Sequence, residues 1–145
     1  MDASNIKQVE AGLYCGGQPS EQELAALAAD GVRSLINLRP PSEFDGFDEA
    51  GAAAKLGLNY TQIAITGSAD LTREKIAEFC AALTTARAAG PVLVYCRSGN
   101  RVGAAIALAE AWMHHCCPDE ALAHGRRAGM TGLEEAVRQI IRPTL

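Results

Sequence analysis

The sequence predicts an α/β fold, a single three-layer domain in which a mostly parallel central sheet of about four to five strands is flanked by helices. Three observations predict it. Short apolar runs of strand length alternate with longer stretches whose apolar residues recur at helical spacing, the pattern of a parallel sheet. The chain of 145 residues suits one core. No internal repeat, low-complexity tract or linker divides it, so residues 1–145 are read as one unit.

Gly12-Leu13-Tyr14-Cys15 reads as a short edge strand, and Gly16-Gly17-Gln18-Pro19 turns the chain into a helix. Ser20 with Glu23 three residues on is a capping box for that helix, which ends near Asp30-Gly31. Arg33 to Leu38 is apolar enough for a buried strand, and Arg39-Pro40-Pro41 terminates it because proline cannot donate to a ladder. Glu49 to Leu56 is an alanine-rich helix stopped by Gly57. Tyr60 to Ile65 alternates as a third strand, and Thr66 to Asp70 is an exposed loop. From Thr72 to Ala89, Ile76, Phe79, Cys80 and Leu83 mark a helix that Gly90-Pro91 breaks. Val92 to Tyr95 is then a central strand, and Val102 to Met113 is a nearly all-apolar helix buried on most sides. Pro118 opens another helix that Gly129 closes, and Thr131 with Glu134 is a capping box for a last helix reaching Ile141.

Composition excludes several classes. With 48% hydrophobic and 21% charged residues the chain is globular rather than disordered. A net charge of −4 argues against a nucleic-acid partner, which needs clustered Lys and Arg. No apolar run approaches the roughly 20 residues that span a bilayer, and the start lacks a basic region followed by an apolar stretch. The expectation is a cytoplasmic protein without a membrane partner. Cys15, Cys80, Cys96, Cys116 and Cys117 are an odd number of cysteines, which disfavours a disulfide framework and leaves room for a chemical one.

That one is Cys96. Between a strand and a buried helix stands Cys96-Arg97-Ser98-Gly99-Asn100-Arg101. Backbone N–H groups of such a loop converge where a helix dipole is positive, so an anion is held there. Gly99 permits a turn forbidden to residues with a Cβ, and Arg101 offers a planar fork to two oxygens. The same field favours a thiolate, the nucleophilic form of cysteine, whereas an inert core cysteine would not require Gly, Asn and two Arg in the next five positions. Arg97, Ser98, Gly99, Asn100 and Arg101 are therefore candidate anion ligands around the nucleophile Cys96.

Together with Gly16-Gly17-Gln18-Pro19-Ser20, Leu35-Ile36-Asn37-Leu38-Arg39 and Gly57-Leu58-Asn59-Tyr60, the stretch Val92 to Arg101 resembles the phosphatase-like domains of bacterial beta-lactamase hydrolase-like proteins, relatives of cysteine-dependent tyrosine and dual-specificity phosphatases. The resemblance implies a phosphorylated protein or small-molecule substrate, a cysteinyl-phosphate on Cys96 and no metal cofactor. The usual signature, His-Cys-x-x-Gly-x-x-Arg followed by Ser or Thr, would place its arginine at position 102. Here Val102 stands there, Arg101 comes one residue early, and Tyr95 replaces the histidine. The shorter loop also resembles that of rhodanese sulfurtransferases, which hold a persulfide, although the rhodanese Gly-His-Ile-Pro-Gly-Ala segment is absent. An anion or phosphopeptide binding module with an inactive loop is the non-enzymatic alternative.

A phosphatase of this kind needs a general acid for the departing oxygen. Asp70 is the carboxylate in the loop before the long helix, with Glu43, Asp45 and Asp48 in reserve on the other loop. Asp70 could equally be a solvated charge at a helix start. Gln18 and Arg39 lie at element ends bordering the pocket, and Arg126 and Arg127 suit a helix C-terminus. His114, His115, Cys116 and Cys117 are metal-ligand types, but four consecutive residues on a helix point in different directions, so no metal is expected.

Overall fold

The structure, a computed structural model, describes residues 5–43 and 47–142. Its sheet has five strands, β1 (Lys7–Glu10), β2 (Leu13–Gly16), β3 (Ser34–Asn37), β4 (Asn59–Gln62) and β5 (Val92–Tyr95). They are ordered β1-β2-β5-β3-β4. Only β1 runs antiparallel, against β2; all other neighbours are parallel. The helices are α1 (Glu21–Ala29), α2 (Glu49–Leu56), α3 (Arg73–Ala89), α4 (Asn100–Met113), α5 (Pro118–Ala128) and α6 (Glu134–Ile141).

The sheet is apolar on both faces because both are covered. Leu35, Leu93 and Tyr95 alternate toward one face, where they pack with Leu24 of α1 and Ala52 and Ala53 of α2. Ile36, Val92 and Val94 point to the other, under Phe79 of α3 and the apolar length of α4 from Val102 to Ala109. Ser20 caps α1 through the full capping box. Gly57 ends α2 with φ 74°, and Thr72 caps α3 by accepting from the Lys75 N–H.

The structure departs from the sequence expectation at several places. The strand read as an edge, β2, is internal: β1, whose residues are mostly exposed, covers its outer side. The third strand stops at Gln62, although Ile63 and Ile65 still donate to Asn37 and Leu38 carbonyls at 2.9 Å. α4 begins at Asn100, inside the Cys96 loop, with Gly99 at its N-cap. The capping box at Thr131 does not form, since α6 starts after Leu133 without a side-chain cap. The Thr131 and Leu133 N–H groups bond instead to Asn100 Oδ1, at 2.8 and 3.1 Å.

Parallel strands place their C-terminal ends together, and that edge of an open sheet is where α/β folds hold ligands. The segments after β2, β3, β4 and β5 meet there. β5 lies between β2 and β3, so the Cys96 loop emerges at the centre of the edge.

Candidate active site

The Cys96 loop is fastened from both sides. The Cys96 N–H donates to the Gly16 carbonyl at 3.3 Å, and the Arg97 carbonyl accepts from the Gln18 N–H at 3.1 Å. Gly99 takes φ 98°, a conformation that favours glycine, and its N–H donates to Cys96 Sγ at 3.1 Å. The thiol sits with no exposed surface beneath the start of α4. Gly99 at the N-cap offers no side chain to the N–H groups of the first turn of α4, and they keep their pull on negative charge.

Above it opens a cleft of about 460 Å³ lined by Glu43, Thr66, Gly67, Arg97, Ser98, Asn100, Arg101 and Leu133. Four of the five predicted anion ligands line this cleft, and Gly99 is buried behind them. Arg101 is oriented by a carboxylate. Its Nη1 donates to Glu43 Oε2 at 2.9 Å and to the Ile65 carbonyl at 2.9 Å, and its Nη2 donates to Glu43 Oε1 at 3.0 Å. A guanidinium has five N–H groups, and these three bonds use the end-on pair and the outer Nη1–H. Among the described residues no group accepts from the side-on pair, Nε–H and the second Nη2–H.

Arg39 is not among the residues that line the cleft and supports them instead. Only 3% exposed, it donates from Nη1 to Gln18 Oε1 at 2.6 Å, from Nε to Glu43 Oε1 at 3.2 Å and from Nη2 to the Glu43 carbonyl at 2.6 Å. Gln18, Arg39, Glu43 and Arg101 thus form one chain across the segments following β2, β3 and β5. Hydrogen bonds from Arg101, above all, hold the Glu43 carboxyl below its ordinary value.

Residues 5–113 match the family described as beta-lactamase hydrolase-like protein, phosphatase-like domain. The chain belongs to this family. Beta-lactamase hydrolase-like proteins of Xylella fastidiosa are 34% identical over 128 residues, 86% of this chain and 29% of theirs. The one from Agrobacterium fabrum is 34% identical over 103 residues, 68% of this chain and 23% of its own. The chain therefore spans less than a third of the length of the curated relatives it matches. Among solved structures, Tk-PTP in its active form is 20% identical with a TM-score of 0.74, each chain covered over 100%. TpbA of P. aeruginosa in complex with pTyr is 17% identical with a TM-score of 0.77, over 99% of this chain and 87% of that one. The fold is that of protein tyrosine phosphatases.

In this phosphatase-like domain Tyr95 turns away from the cysteine loop. It is fully buried on the α1/α2 face and donates its hydroxyl hydrogen to Glu49, while Asn37 Nδ2 donates to Glu49 Oε1 at 3.3 Å and to the Tyr60 hydroxyl at 3.0 Å. Val102, which follows Arg101, is fully buried in the apolar core. Asp70 does not line the cleft. Its Oδ2 accepts from the Thr66 N–H at 2.8 Å and the Thr66 hydroxyl at 2.6 Å, bonds that hold its carboxyl below the ordinary value. Of the reserve acids, Asp48 caps α2 through the Gly51 N–H, Asp45 lies outside the described residues, and Glu43 is ion-paired.

Burial, with Glu10 adding to it, pushes the Cys15 thiol up to about 12. Arg126 is held by Glu134 at 2.6 Å, away from the cleft-lining set. Sequence reasoning missed the part played by Glu43. The available signal was an acid just past β3, on the same sheet edge as the Cys96 loop, but only the fold shows that it grips Arg101.

Proposed function

We propose that this chain hydrolyses phosphate monoesters through a cysteinyl-phosphate on Cys96. The supporting observation is the side-on N–H pair of Arg101, held by Glu43 beside the first turn of α4, which suits two oxygens of a tetrahedral oxyanion. The Cys96 thiolate attacks phosphorus, the ester oxygen departs with a proton from a general acid, and water then attacks the cysteinyl-phosphate to release phosphate and the thiolate. Asp70 is the acid this reading assigns, since the Thr66-Gly67 segment that holds it lines the cleft. The substrate is a phosphorylated protein or small molecule, and the pTyr held by the similarly folded TpbA makes an aryl phosphate the natural probe. The reaction needs no metal at the loop, and no nucleic acid or membrane takes part.

One observation favours a second reading. Among the described residues lining the cleft the only carboxylate is Glu43, and two arginines keep it ionised. Sulfur transfer needs no such acid: Cys96 would take the outer sulfur of thiosulfate, releasing sulfite, and pass it to a thiophile. The two are separated by assaying purified protein with an aryl phosphate and with thiosulfate plus cyanide. Phosphate release abolished to below a few per cent in Cys96→Ser supports the first reading. Gain of one sulfur atom on Cys96 by mass spectrometry, with thiocyanate formed and no phosphate released, establishes the second. An unreactive Cys96 in both assays leaves an anion-binding module.

A further inference from the structure

The His114-His115-Cys116-Cys117 segment is not helical. α4 ends at Met113, and the four residues form the turn into α5, with His115 in the left-handed region at φ 59°. This turn folds Cys116 back so that its N–H donates to the Glu110 carbonyl at 3.0 Å. Its thiol then faces the side chain of the same residue, with Cys116 Sγ 3.3 Å from Glu110 Oε1. His124 approaches from α5. Donor atoms of Glu110, Cys116 and His124 all lie within 4.8 Å of one another, and each residue is partly buried.

We propose that Glu110, Cys116 and His124 bind one divalent ion of the zinc class, joining α4, the turn and α5. Zn²⁺ bonds of about 2.3 Å to sulfur and 2.0–2.2 Å to oxygen at a tetrahedral angle separate the two ligand atoms by about 3.5 Å, close to the spacing of Cys116 and Glu110. A thiolate, an imidazole and a carboxylate form a donor set for zinc or cobalt rather than calcium or magnesium, which prefer oxygen alone. The carboxylate and thiolate together balance the charge of the ion, and water completes the tetrahedron.

Two contacts have to yield when the ion binds. The Cys116 proton, directed at Glu110, leaves to solvent, one per ion. With His124 Nδ1 as the ligand atom, the Arg127 Nη2, 2.6 Å from it, swings away, which its exposed position allows. His114 Nδ1 stands 3.3 Å from the other Glu110 oxygen and can remain there. Glu110 lies ten residues along α4 from Asn100, about 15 Å at 1.5 Å per residue, so this site is separate from the Cys96 loop and its occupancy does not depend on the reaction catalysed there.

Cobalt(II) added to the chelator-treated protein is the test, read as the thiolate-to-cobalt charge-transfer absorption. The expected result is a band that saturates at one ion per chain, persists in Cys96→Ser and Cys117→Ser, and is lost in Cys116→Ser. His124→Asn should weaken binding by about 100-fold or more, and Arg127→Gln should strengthen it. Zinc should raise the melting temperature of the wild type and not of Cys116→Ser, whose circular dichroism verifies its fold. Absence of a saturating band, or a band that survives Cys116→Ser, overturns the site.

Discussion

With three of its N–H groups engaged by Glu43 and Ile65, Arg101 holds its side-on edge, proposed to bind the oxyanion, in one orientation. Glu43→Gln keeps the size of the side chain but turns an amide N–H toward a guanidinium. It should lower kcat/KM by about tenfold or more and weaken inhibition by a tetrahedral oxyanion in step, and Arg101→Lys should do at least as much because lysine has no fork. Unchanged efficiency and inhibition in both would show that the pair is ornamental to the chemistry. Asp70→Asn should slow poor leaving groups by about 100-fold and spare activated esters. Because Thr66 holds the Asp70 carboxyl low, its protonated form fades as pH rises through the acid range, so the falling limb it causes lies at acid pH and should vanish in the variant. That Cys96 and Arg101 share one loop between strand and helix was legible because loop, glycine and fork are contiguous in sequence. The partner of Arg101 was not, because Glu43 stands 58 residues away and no periodicity announces an ion pair made by the fold.

The helix that presents the loop depends on close approach. A Cβ at Gly103 of α4 would lie 2.2 Å from the Met130 N and 2.5 Å from the Gly125 carbonyl oxygen, and one at Gly125 of α5 would lie 2.8 Å from Ala107 Cβ. Backbone therefore packs against backbone where α4 meets α5 and the turn after it. Gly103→Ala should destabilise by about 3 kcal/mol, lowering the melting temperature by roughly 10 °C, since neither contact is a flexible side-chain end. Gly67→Ala, with open space around it and φ 179°, should leave the melting temperature within about 2 °C. Calorimetry of the two variants decides. The apolar run from Val102 made α4 and its burial legible, but the polar residues of β1 carry little strand signal. The failed capping box at Thr131 has a physical rival that only tertiary contact supplies: Asn100 Oδ1 takes the Thr131 and Leu133 N–H groups just before α6, the first of which the box would have given to Glu134.

At the scale of the whole molecule, carboxylates tied to arginine make stability depend on pH. Hydrogen bonds, first from Arg101 to Glu43 and first from Arg126 to Glu134, depress both carboxyls. A depressed carboxyl contributes stability that is present above its unfolded value, about 4.3 for Glu, and is lost as pH falls through the folded value. The urea midpoint should thus fall from pH 5 toward pH 2, and less steeply in Glu43→Gln. Equal slopes would remove Glu43 from the account. The three-layer class was legible because strand and helix periods alternate, whereas strand order was not, since any of several parallel arrangements satisfies the same pattern. In the order that formed, β5 fills the slot between β2 and β3 and is the last strand to be synthesised. A nascent chain that has reached only α3 holds β2 and β3 as two unjoined edges with apolar faces. Such a chain is ready to pair with a copy of itself, and it closes only when the segment ending in Cys96 leaves the ribosome.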